Sequence, residues 1–389
     1  MSKLIALAGG ALLVGSVTVA IPAHASKYSV VYSFQGGSDG ATPFSGLVNV
    51  SGTLYGTTYY GGATNSGTAF GVTPAGTETM LYSFQGGDDG LNPWGSLTNV
   101  DGTLYGTTYQ GGPDNFGTVF EVTTAGAKTT LYSFAGLSDG TFPVGGLIKS
   151  GAKLYGTTSG GGEGTGCGTP GCGTVFKLTQ AGKERVVYRF NANDANSPLG
   201  TLIAMNGELY GTSYQGGNIN NPLGAVFKTT KQGVESVLHA FGGAPDGANP
   251  VGGLIDVNGT FYGTTESGGA NKLAEFGTVF SITPAGVETV LYSFTGVGRD
   301  GGGPEAGLID VDGTFYGVTG TGYNKNGYFS STLFSITPAG VLTTLHTFGT
   351  GQDGDGALGT LIHLGHALYG TTAAGGTGGK GTVFKYKLS

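Results

Sequence analysis

The pentapeptide Leu54-Tyr55-Gly56-Thr57-Thr58 returns, with small changes, at 104–108, 154–158, 209–213, 261–265, 315–319 and 368–372. Tyr and Gly are the same in all seven copies, and successive tyrosines stand 50, 50, 55, 52, 54 and 53 residues apart. A fixed period of this length suits one blade of a propeller and exceeds most helical repeats. Within a period four short runs have strand character: Gly46 to Val50 (A), Thr53 to Tyr59 (B), Thr68 to Thr73 (C) and Glu78 to Phe84 (D). Turn signals punctuate them at Ser51-Gly52, Gly61-Gly62 and Pro74-Ala75-Gly76, so the unit reads as a four-stranded antiparallel meander. The fold expected is all-β, a seven-bladed β-propeller.

The chain starts and stops out of phase with its own blades. Tyr28 to Phe34 matches strand D with no A to C before it, whereas Leu361 to Leu364, Ala367 to Thr372 and Thr382 to Leu388 supply A, B and C with no D after them. Pairing the spare strand with the incomplete blade closes the ring and removes two open sheet edges. The strands alternate small with large residues, which suits sheets buried on both faces. Tyr55 is expected to cover a glycine such as Gly56 of a neighbouring blade, and the small residues opening strand A to stand nearest the axis.

Composition agrees with this reading. Of 389 residues 81 are Gly, 11% are aromatic and only 11% are charged, with 2 Cys, which leaves little room for a coiled coil, a charged disordered chain or a disulfide miniprotein. A net charge of −7 argues against nucleic-acid or anionic-membrane partners, which need a basic face. Lys3, the uncharged run Leu4 to Ala20 and the triplet Ala23-His24-Ala25 form a secretory signal, residues 1–25, with cleavage after Ala25. Residues 26–389 are then one domain: secreted, extracellular or periplasmic, monomeric, without a membrane span.

The run Gly-x-Leu-Tyr-Gly-Thr-Thr, the Gly-Gly that follows and Gly-Thr-Val-Phe at 117–120, 173–176, 277–280 and 381–384 resemble the GloVer tandem-repeat proteins. The likeness spans about residues 27 to 389; the sixth repeat weakens to Tyr316-Gly317-Val318-Thr319 and Ser331-Thr332-Leu333-Phe334. It implies a repeat fold and carries no established activity.

Each repeat also has an aspartate in its D to A connection: Asp39, Asp89, Asp139, Asp194, Asp246, Asp300 and Asp353, usually as Asp-Gly-x-x-Pro. Seven carboxylates around one mouth could hold Ca²⁺, and Asp353-Gly354-Asp355-Gly356 has some likeness to a calcium loop. An Asx-type turn accounts for the motif without any ion, so no cofactor is required. A residue present in every blade serves what every blade needs.

Function is therefore expected where repeats differ. The residue after the Pro is Phe44, Trp94, Val144, Leu199, Val251 and Glu305, with Leu358 equivalent in the last repeat. Phe44 and the sole Trp, Trp94, in adjacent blades could stack a sugar ring. Arg299, Tyr60, Tyr109, Tyr214 and Glu266 come from loops on the same face. Two functions fit: a non-catalytic binding or scaffold propeller for glycan or another extracellular protein, or a polysaccharide lyase or hydrolase using Glu305 or Glu266 at that mouth. Ordinary loop packing is the bland account of each residue taken singly. Cys167 and Cys172, five apart in an exported chain, are expected to form a local disulfide. His363 and His366 flank a turn on the opposite face and lack a third metal ligand.

Overall fold

The computed structural model describes residues 27–164, 166–270, 276–296, 300–320, 331–349 and 351–388. The signal segment and Arg299 lie outside them. Seven four-stranded antiparallel sheets form a ring, a seven-bladed β-propeller, and the only helices among the described residues are three single 3₁₀ turns. Blade 1 is typical: A is Val48–Val50, B Thr53–Thr58, C Thr68–Val72 and D Glu78–Ser83. Strand A is shorter than its sequence run because Gly46 has turned to the axis. Its N–H donates to Ser96 Oγ of blade 2 at 2.9 Å, and a Cβ there would lie 2.6 Å from the Thr360 carbonyl of blade 7.

Closure takes the expected form. Tyr28–Ser33 runs antiparallel to Thr382–Lys387, with Tyr28 opposite Tyr386 and Ser33 opposite Thr382, and becomes strand D of blade 7. Every C to D pair carries one bulge, at Val31, Leu81, Leu131, Val187, Leu238, Leu291 and Leu345. In six junctions the bulged carbonyl abuts the C to D turn glycine of the next blade, as Val31 does Gly76. A side chain on that glycine would collide with the bulge.

The invariant Tyr-Gly pair works differently from the sequence expectation. Gly56 is covered by Leu47 and Phe70 of its own blade, each about 2.9 Å from where a Cβ would be, and not by a neighbour's tyrosine. Tyr55 instead reaches out to blade 2, packing with Leu97, Leu104, Phe120 and Val122. The glycine lets strands A and C close over B, and the tyrosine joins two blades.

The core is thus seven clusters, one between each pair of consecutive blades. Each holds the same aromatic clasp: the Phe that follows strand D meets the strand C Phe of the next blade. The pairs are Phe34 with Phe70, 84 with 120, 134 with 176, 190 with 227, 241 with 280, 294 with 334 and 348 with 384. Their centroids lie 5.0 to 5.4 Å apart at steep interplanar angles. Both rings are fully or almost fully buried, and each such ring stabilises the junction by about 2–3 kcal/mol through burial. Cys167 and Cys172 are joined in a disulfide in the B to C loop of blade 3, and Cys172 is buried in the cluster between blades 3 and 4.

Closure predicts how the ring fails. Deleting residues 27–34 removes strand D of blade 7 and the Phe34–Phe70 clasp together. The variant should melt well below the parent and lose amide protection first in 382–387 and 68–72. Uniform loss across all blades in hydrogen-exchange mass spectrometry would contradict this.

Candidate functional site

The D to A and B to C connections pair with each other above each blade. Leu91–Pro93 adds to strand B of blade 2; Ala195–Asn196 pairs with Gln215–Gly216 and Gly247–Ala248 with Ser267–Gly268. Single bridges such as Ala41 to Tyr60 and Thr141 to Gly160 do the same elsewhere. These ribbons fix one end of the ring as a rim, and the residues after Asp-Gly-x-x-Pro descend from it to the axis.

There a cavity of about 240 Å³ opens on the axis, with a contribution from all seven blades. Its wall carries Phe44, Trp94, Val144, Leu199, Val251, Glu305 and Leu358, so the position picked out by pattern-breaking is a single ring in space. Its floor is small: Gly46, Ser96, Gly146, Thr201, Gly253, Gly307 and Thr360, tied by bonds such as Gly146 N–H to Thr201 Oγ1 at 2.9 Å. Side chains any larger would fill the axis.

The wall has two unlike halves. Across blades 1 to 3 runs a continuous aromatic band. Phe44 and Trp94 stack at 5.0 Å, Trp94 meets Tyr109 at 5.6 Å, and Tyr109 stacks on Phe142 at 5.0 Å. Tyr59 stands edge-on to both Phe44 and Trp94. Tyr60 extends the band outward against Tyr59, is 44% exposed, and faces a separate shallow groove beside Lys380. Across blades 4 to 6 the wall is aliphatic apart from Glu305, which with Tyr109 is the only ionisable group lining the cavity among the described residues. Burial, and then the charge of Glu266, push the Glu305 carboxyl up to about 7. Burial raises Glu266 as well, against a hydrogen bond from Tyr214 that lowers it. Glu305, Glu266 and Tyr214 thus form one connected group, with Glu305 foremost.

Phe142 was not among the residues that the sequence singled out. It precedes Pro143 with φ of 59°, a left-handed conformation rare for an aromatic residue, where other repeats place Thr42, Asn92, Ser197 and Asn249. A Phe in a position otherwise small or polar was the available signal. Its ring is spent on Tyr109.

The seven aspartates stand apart from this cavity, against strand D. The fifth residue of that strand, a Tyr or His, meets each carboxylate: Tyr32 with Asp39 at 2.9 Å, Tyr82 with Asp89 at 2.9 Å, Tyr292 with Asp300 at 3.1 Å, His239 with Asp246 at 3.1 Å and His346 with Asp353 at 2.8 Å. Tyr132 and Tyr188 donate likewise to Asp139 and Asp194. Backbone N–H groups just past strand D, such as Gln35 and Gln85, donate to the same carboxylates. Asp355 takes its own N–H bond from Gly356 at 2.8 Å. The glycine after the aspartate leaves space for a threonine pair: a Cβ on Gly90 would lie 2.6 Å from Thr108 Oγ1 and 2.8 Å from Thr118 Oγ1. Where blade 4 has Ala195 instead, that pair is Ser213 and Ala225.

Six of the aspartates also face the first residue of strand D in the next blade. In blades 1, 3 and 4 this is Glu78, Glu184 and Glu235, each pushed up to about 7 by burial and then by the facing aspartate. In blade 2 it is Lys128, whose ammonium lies 2.6 Å from Asp89 Oδ1.

Fold and mouth together define a seven-bladed propeller with an asymmetric cavity at one end of its axis. The chain belongs to the Gloeobacter/Verrucomicrobia repeat family, which matches residues 6–169 and, as a second copy, 162–329. No curated protein sequence matches it. Among solved structures it is similar to PorZ, a surface component of the type-IX secretion system of Porphyromonas gingivalis, at 15% identity and TM-score 0.56, over 91% of this chain and 47% of that one. It is also similar to a puromycin-hydrolyzing peptidase of Mycobacterium tuberculosis, at 10% identity and TM-score 0.50, over 92% and 57%. The gluconolactonase XC5397 of Xanthomonas campestris matches at 13% and 0.45, over 93% and 89%. The chain spans about half the length of the first two. At these identities the likeness is one of fold.

The raised glutamates set a pH dependence. An unfolded Glu titrates near its ordinary value and these near 7, so the stability of their protonated form is complete below about pH 4.5 and lost as pH rises through 7. The melting temperature should fall by about 5 °C between pH 5 and pH 8. Replacing Glu78, Glu184 and Glu235 with Gln should flatten that slope in a calorimetric pH series.

Proposed function

We propose that residues 26–389, released by removal of residues 1–25, are a secreted, monomeric, non-catalytic propeller that binds carbohydrate at the axial mouth. The observation that supports this reading is the division of the mouth into an aromatic band, Phe44, Trp94 and Tyr109, facing a lone carboxyl, Glu305. A sugar ring presents an apolar C–H face to stack on the aromatics and hydroxyls for Glu305. The cavity has room for one such ring at the end of a longer glycan. Among the described residues no helix is long and apolar enough to cross a membrane, and the disulfide is compatible with export.

Trp94 is the only Trp of the chain, so its fluorescence reports occupancy of this mouth directly. A ligand found on a glycan array should shift that emission, and Tyr109→Ala should weaken it about tenfold or more while leaving the fold intact. A glycan that bound without changing the emission would place recognition elsewhere.

A polysaccharide lyase or hydrolase is the second reading, favoured by one feature: Glu305, held near 7, stands beside a second carboxyl and Tyr214. Near neutrality such a group can give or take a proton. Under this reading Glu305→Gln abolishes turnover of the polysaccharide and leaves the emission change in place. Under the binding reading no polysaccharide is turned over by the parent chain.

A further inference from the structure

The seven junctions between blades share one plan and differ in the side chains brought to it. At each, the fifth residue of strand D meets the aspartate, and at six of them the first residue of the next blade's strand D approaches it as well. Only between blades 4 and 5 is the first a histidine and the second a glutamate. There the ligand atoms of His239, Asp246 and Glu288 lie within 4.8 Å of one another. Glu288 Oε1 is buried with no hydrogen-bond partner, as is Oε1 of Glu78, Glu184 and Glu235 at the other glutamate junctions, so what sets this junction apart is the imidazole that faces the two carboxylates. We propose that His239, Asp246 and Glu288 bind one divalent transition-metal ion of the zinc type.

Imidazole nitrogen with two carboxylates is a donor set that suits Zn²⁺ and its neighbours, whereas Ca²⁺ takes oxygen ligands alone. A dication would hold both carboxyl groups that face one another across this blade junction in their ionised form. Water would complete the coordination, and the side chains of His239 and Asp246 are 22% and 23% exposed, leaving a way in.

The other junctions of the same chain show what each position does. Between blades 1 and 2 Lys128 takes the place of Glu288, and its ammonium donates to Asp89 Oδ1 at 2.6 Å, the Asp89 carbonyl at 2.7 Å and Thr130 Oγ1 at 2.6 Å. A cation is therefore already part of one copy of this junction, and it is 3% exposed. Where glutamate is present in blades 1, 3 and 4, the opposing strand D residue is Tyr32, Tyr132 or Tyr188, whose hydroxyl donates to the aspartate and offers no imidazole. Where the second histidine occurs, His346, the facing residue is Tyr28, stacked on it at 3.8 Å, and supplies no carboxylate. The full donor set exists at one junction only.

The repeats also supply the test. Untagged chain, freed of metal by chelator and dialysis, is titrated with ZnCl₂ by calorimetry and with Co²⁺ by visible absorption, with CaCl₂ as control. The expected result is one Zn²⁺ per chain, a Co²⁺ d–d band, and a rise in melting temperature with Zn²⁺ that CaCl₂ does not reproduce. His239→Tyr installs the residue that other blades carry there, so its metal-free melting temperature should be unchanged while Zn²⁺ affinity falls tenfold or more. Glu288→Gln should lower affinity similarly and keeps the inference testable if the first variant misfolds. Zinc binding of unchanged stoichiometry and affinity in both variants, or none in the parent chain, overturns the assignment.

Discussion

The ring depends on one contact made seven times, a phenylalanine at the end of each strand D set against the strand C phenylalanine of the next blade. A single blade cannot bury both of its faces, so its stability is borrowed from its neighbours. Phe34 shows the consequence most plainly. It stands near the beginning of the described chain yet bonds to the Gly381 carbonyl through its N–H and packs on Phe70. One residue thus couples the last blade to the first. The glycines serve the same contact: Gly56 lets Leu47 and Phe70 close over strand B, which leaves the large Tyr55 free to cross to the next blade.

Much of this was legible in the sequence because it is repeated. Seven equivalent tyrosines gave the blade count, and a D-like run with no partners, Tyr28 to Phe34, gave the closure. What repetition could not give was direction. Whether Tyr55 or Gly56 faces the neighbour depends on which way the pleat points, and a period-2 strand buried on both faces carries no polar side to orient it. The pairing of D to A with B to C loops was hidden for a related reason, since two-residue ribbons such as Gly247–Ala248 with Ser267–Gly268 have no composition of their own.

The candidate site was legible in part. The residue after each Pro was identified by comparison between repeats, and all seven do line one cavity. Phe142 escaped because its neighbourhood looks like a turn, and only its positive φ and its stacking on Tyr109 mark it as part of the rim. Tyr60, adjacent to Tyr59 in sequence, faces away from the axis, since successive residues of an extended segment point to opposite sides.

The aspartates illustrate how a repeat separates assembly from specialisation. Each one joins strand D to the connection it sits in, so all seven copies are needed. The partners of the aspartate are under no such constraint. Tyr or His on one side and Glu, Lys, Leu or Tyr on the other all close the junction, and each combination has its own charge. The axial wall follows the same logic, with a fixed backbone ring and a variable side chain above each blade. Seven near-identical frames therefore present seven independent choices at the mouth and seven more between the blades. The combinations that occur only once, Trp94 beside Phe44, Glu305 near Glu266, and His239 opposite Glu288, are where this ring departs from its own repeat.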